Sequence, residues 1–113
     1  MIEVLLKDYL KTNLDGIPVH MEMPQVKPDK FVVMYKIDSG RTNMIDAATF
    51  RFDIRAQSNY DAAVLCEQVK DVLFDAISIP EISSATLGGE QQTTDIANHL
   101  YLYNLTFNFY YYS

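Results

Sequence analysis

A chain of 113 residues that is 49% hydrophobic and 21% charged has the balance of one ordinary domain, expected to span 1–113, with no apolar run long enough for a membrane span and charges where a secretory leader needs apolar residues. Its one cysteine, Cys66, excludes an intrachain disulfide and a cysteine-rich zinc centre and points to a reducing compartment. Net charge is −6, but residues 1–57 hold 8 acids and 8 bases while residues 58–113 hold 7 acids against Lys70 alone, which argues against binding nucleic acid by phosphate neutralisation through the second half.

Ile2, Leu5, Leu6, Tyr9 and Leu10 recur at helical spacing, with Glu3, Lys7, Asp8 and Lys11 opposite, and predict an amphipathic helix that ends near Thr12. Asn13–Gly16 tolerates left-handed backbone and Pro18 blocks continuation. Residues 17–23 read as a short strand closed by Pro24, and residues 24–29 as a proline-rich loop.

Phe31, Val33, Tyr35 and Ile37 alternate with Lys30, Val32, Met34 and Lys36, predicting a strand whose odd positions face the core. After a polar segment, Asp38–Asn43, the alternation of Ala48, Phe50, Phe52, Ile54 and Ala56 with Thr49, Arg51, Asp53, Arg55 and Gln57 predicts a strand over 46–57, paired with 30–38 as a hairpin. Ser58, three before Asp61, caps a second helix carrying Ala62, Leu65, Cys66, Val69, Val72, Leu73 and Ala76, which runs to about Ile77 and is stopped by Pro80.

Ile82–Leu87 reads as a modest strand and Gly88–Asp95 as a polar loop. A last strand from about His99 to Tyr112 places Tyr101, Tyr103, Leu105, Phe107 and Phe109 on one face. The fold class is therefore α+β: an antiparallel sheet of four to five strands with two helices packed on one face.

Catalytic, cofactor and metal sites are not expected. His20 and Glu22 share a strand face but lack a third ligand, and His99 lies in another strand. Cys66 sits among apolar helix positions as a buried structural cysteine does. Gly88-Gly89 lacks the lysine and following helix of a phosphate loop and reads as a turn. Arg51, Asp53 and Arg55 share a strand face, with Lys36 expected across the hairpin, as a cross-strand charge ladder.

If odd positions carry the core, Val32, Met34, Leu100, Leu102, Tyr110 and Tyr112 fall on the sheet face away from the helices. Burying the four aliphatic residues at about 1.5–3 kcal/mol each would rival the stability of the domain, so this face is a candidate interface with another copy or a partner. Ser39, Gly40, Arg41, Thr42 and Asn43, with Gly88, Gly89, Glu90 and Gln91, are candidate docking loops that order on assembly.

The succession of elements resembles the tail-completion proteins of long-tailed bacteriophages, the tail terminator or head–tail joining group. The likeness rests on Leu14-Asp15-Gly16-Ile17-Pro18-Val19, on Met23-Pro24 followed by Lys27-Pro28-Asp29-Lys30-Phe31-Val32-Val33, and on Phe52-Asp53-Ile54-Arg55-Ala56-Gln57-Ser58 leading into Asp61-Ala62-Ala63. It departs at His99-Leu100-Tyr101, where many members carry an Arg-Tyr pair.

The resemblance implies a non-enzymatic subunit without cofactors, present in the bacterial host cytoplasm during assembly and then in the virion neck. It would form a homo-oligomeric ring, expected to be a hexamer, that terminates the tail tube and contacts the tail-tube protein and a head-completion or connector protein. DNA would pass through the channel without specific binding, since acidic walls repel phosphate over roughly one Debye length, ~8 Å. A small ligand-binding or regulatory α+β domain, monomeric or dimeric, with the aromatic last strand as a pocket wall, is the alternative.

Overall fold

The computed structural model describes residues 2–14, 16–42 and 45–112. Its first helix, α1 (Ile2–Asn13), buries Ile2, Leu6 and Leu10, one residue per turn. The Tyr9 hydroxyl donates to the Val72 carbonyl at 2.9 Å and so ties α1 to the second helix. Gly16 takes φ 82°, and the chain turns there into β1 (Val19–His20).

A long hairpin follows, β2 (Lys30–Thr42) with β3 (Ile45–Ala56). The second helix, α2 (Asn59–Phe74), starts as expected: Ser58 is extended, and its hydroxyl accepts from the Asp61 amide at 3.1 Å. A 3-10 turn, Asp75–Ser78, continues it before Pro80. The strands β4 (Ile82–Asp95) and β5 (Leu100–Tyr111) complete the chain.

The five strands lie in the order β1-β2-β3-β5-β4. Every neighbouring pair is antiparallel except β1 with β2, so the α+β architecture is built on a mixed sheet. Both helices pack on one face over Ile54, Phe52, Phe50, Leu105, Phe107 and Phe109. The rings meet edge to face, Phe52 with Phe107 at 6.4 Å and Phe50 with Phe109 at 6.1 Å, the arrangement favoured by aromatic quadrupoles.

One phase assignment is overturned. Val32 pairs with Ile54 and Met34 with Phe52, so the even positions of β2 face the helices. Val32 and Met34 are consequently core residues and leave the candidate interface. Residues 31–35 are apolar throughout, so alternation could not fix the phase; the bulge between Lys36 and Asp38 then shifts it, and Ile37, expected inside, is exposed.

Candidate interaction surface

The sheet face opposite the helices is not the apolar plane that the sequence suggested. Register sets His20, Val33, Asp53, Asn104 and Gln91 in one row across all five strands. One row away lie Phe31, Arg55, Leu102 and Thr93, and on the other side Tyr35, Arg51, Thr106 and Gly89.

Its apolar part is a corner. Phe31, Val33 and Leu100 form a small buried cluster flanked by Met23 and Tyr35. Leu100, offered above as an exposed contact, is thus satisfied within the chain. Leu102 is half-buried, and only Tyr110 and Tyr112 of the six candidate residues are exposed. The larger part is polar: the Thr49 hydroxyl donates to Asn108 at 2.7 Å, and Ser84, Thr86 and Thr106 continue the surface.

A charge network crosses its centre. Arg51 donates from Nε and Nη2 to the two Asp53 oxygens at 2.9 and 3.3 Å, and its guanidinium lies 4.7 Å from the Tyr35 ring centroid. Arg55 donates from Nε to Asp95 at 2.8 Å and lies 3.8 Å from Asp53. The expected ladder is therefore real on β3, but Lys36 is not in it; Lys36 points to the helix side and pairs with Glu3 at 3.5 Å.

Burial outweighs both arginines at Asp53 and holds its carboxyl above the usual range. At Asp95 burial also pushes upward, but hydrogen bonds from Asn98 and Arg55 prevail and hold it low. Three buried polar atoms on this side, His20 Nε2, Arg55 Nη1 and Asn104 Oδ1, have no hydrogen-bond partner among the described residues. Of these only Asn104 lines a groove, of about 400 Å³, together with Arg51, Gly89, Glu90, Gln91 and Thr106.

The proposed docking loops are corrected as well. Gly88, Gly89, Glu90 and Gln91 lie within β4, at and beyond a bulge between Leu87 and Gly89, and Ser39–Thr42 belong to β2; Asn43 lies outside the described residues. The loop and turn readings fail because β4 is an edge strand whose helix side is held by polar contacts. Glu90 pairs with Lys70, and the Gln92 amide donates to Asn59 at 2.6 Å.

These corrections expose two open sheet edges. The whole of β4 is terminal in the sheet, while β1 pairs with only Val32 and Val33 of β2, leaving the edge of β2 beyond them without a strand among the described residues. Sequence reasoning missed β4 as an edge; the signal was Ala85 and Leu87 alternating with Ser84 and Thr86, followed by the β-branched Thr93-Thr94.

Elsewhere, β1 stops at His20, so Glu22 lies beyond the strand, and His99 sits in the turn before β5 with φ 56°. No group of three or more His, Cys, Asp or Glu side chains suited to a metal ion occurs among the described residues. Cys66 is buried against the core, and burial pushes its thiol up to about 11. Relative to an ordinary thiol, that lowers the thiolate fraction at pH 8 about a hundredfold. Labelling with a thiol reagent is expected to wait for unfolding, and a rate in native buffer equal to that in urea would contradict this placement.

A second groove, about 590 Å³, opens between α1 and the end of the sheet, with Ile2, Leu5, Tyr111 and Tyr112 in its walls and Glu3, Lys36, Asp46 and Glu81 around them. Among the described residues no helix is long and apolar enough to cross a membrane. The chain matches no protein-family model and no curated protein.

Proposed function

We propose that this protein is a non-enzymatic structural subunit of a phage or prophage neck, one copy in a closed homo-oligomeric ring that ends the tail tube and joins it to the head. The observation that supports this reading is the open sheet with two different free edges, β4 on one side and the outer part of β2 on the other. Ring closure requires two unlike, complementary patches on each subunit, which unlike edges can supply. The sequence likeness to tail-completion proteins supplies the biological setting, including the tail-tube and connector partners, the channel that DNA traverses and the route from host cytoplasm to virion.

The groove walled by Tyr111 and Tyr112 favours a second reading, a small-ligand domain acting as monomer or dimer. Electron microscopy of tagged protein mixed with purified tail tubes separates the two. The neck reading predicts label at one tube end only. Bare tubes would contradict it.

A further inference from the structure

Resting on the ring reading, we propose that the groove beside α1 receives the loop between β1 and β2 of the next copy, with Val26 against its apolar walls and Lys27 against Glu81. The groove encloses about 590 Å³ between Ile2, Leu5, Tyr111 and Tyr112, room for more than one side chain. Among the charged residues that line it, Glu3 is engaged by Lys36 and Asp46 by Arg41. Glu81 is the lining acid that makes no ion pair with the described residues. An apolar cleft with one unpaired acid is complementary to an apolar side chain beside a free base.

Val26 and Lys27 are such a pair. The three most exposed large apolar side chains among the described residues are Val26 at 86%, Ile96 at 79% and Tyr60 at 76%. Ile96 follows Asp95, which Arg55 already engages, and Tyr60 precedes Asp61, so neither has a lysine or arginine beside it to meet Glu81. Val26 is followed directly by Lys27. The Lys27 ammonium donates to the Gln25 carbonyl at 3.4 Å, while the ion pairs among the described residues are made by Lys36, Arg41, Arg51, Arg55 and Lys70.

The loop is also prepared for docking. Pro24 and Pro28 fix the backbone on either side of Val26. Met23 packs on the corner cluster, and Asp29 accepts from the Gln57 amide at 3.0 Å. A segment held at both ends loses less conformational freedom when it binds.

The occupant is a second copy because the loop stands clear of its own groove. It leads into Lys30, which opens β2 opposite Ala56, whereas the groove takes in Lys36 and Asp46, toward the other end of the hairpin. Each subunit therefore carries two unlike, complementary patches, as head-to-tail closure requires. Closure brings both patches to one height along the ring axis, so subunits joined this way hold their strands inclined to it.

Sedimentation velocity over a range of concentrations tests the junction by charge exchange. Lys27→Glu and Glu81→Lys, each at an exposed position, should keep the wild-type circular dichroism spectrum and each raise the concentration needed for assembly about threefold or more. The double variant Lys27→Glu/Glu81→Lys restores opposite charge across every junction and should return to within about twofold of wild type. Val26→Asp should need about tenfold more protein or higher.

A wild type that assembles with all four variants assembling equally well, or single variants whose loss the double does not recover, would overturn the loop-in-groove junction. The ring reading would then stand, with the groove left to a small ligand. A chain that stays monomeric at every concentration would remove both.

Discussion

Phe52→Ala is expected to lower the unfolding free energy by about 3–5 kcal/mol, a large part of the 5–15 kcal/mol typical of a small domain. Phe52 is fully buried in the middle of the central strand, opposite Met34 on β2 and Leu105 on β5. Its ring contacts Phe50, Phe107 and Phe109. The strands on both sides are held by continuous ladders, so they cannot collapse into the space left, and the cavity cost adds to the lost transfer energy. Urea unfolding followed by far-ultraviolet circular dichroism should show the midpoint falling by 1 M or more with an unchanged slope, taking about 1–3 kcal/mol per M for a small protein. A loss below about 1 kcal/mol would contradict the packing described.

The second large effect is expected at Arg55. Its side chain is 9% exposed and is shared between Asp95 and Asp53, while Asp53, 5% exposed, has Arg51 as its other partner. A buried ion pair adds little over an apolar pair, yet removing one member strands the other, at a cost of about 3–5 kcal/mol. Arg55→Met keeps much of the volume beneath the Phe31 ring and removes the charge, so its loss at pH 7 should fall in that range.

The pH dependence of this deficit follows from the two carboxylates. Asp53 already titrates above its ordinary value because of burial, and without Arg55 it rises further; a group raised in the folded state binds extra protons there, so acidification from neutral pH toward 4 favours the folded variant. Asp95 is held low in the wild type, a stabilisation that is present above the unfolded value and disappears as pH falls through the folded one; the variant has less of it to lose. Both effects narrow the gap between wild type and variant on acidification. A gap that widens between pH 7 and pH 4.5 in paired urea titrations would contradict the network.

Legibility differed from element to element for physical reasons. β3 was read nearly to the residue because one of its faces is core and the other charged, so Phe50, Phe52 and Ile54 alternate cleanly with Arg51, Asp53 and Arg55. α2 was legible from Ser58 and from the spacing of Leu65, Val69 and Leu73. β2 hid its phase because both faces are covered around Phe31–Val33, the helix side by the main core and the other by the corner around Leu100. β1, expected over seven residues, pairs at only Val19 and His20.

The candidate interface suffered most, because it inherited the phase of β2. Moving Val32 and Met34 into the core replaced an expected apolar plane with threonine, asparagine and a guanidinium–carboxylate network. The edge formed by β4 was hidden by composition: glycine, glutamine and threonine read as a loop when judged one residue at a time, whereas twelve of its fourteen residues pair with β5 and make a strand. Pairing across the sheet is a long-range property, and the short-range signals at Gly88-Gly89 pointed the other way.

Native mass spectrometry over a wide concentration range tests the ring most directly. Head-to-tail joining of unlike patches in a closed ring predicts one dominant stoichiometry above the dimer, six being the number implied by the likeness to tail-completion proteins, with few species between it and the monomer. A monomer that persists at high concentration, or an unbounded ladder of masses without a preferred size, would contradict it.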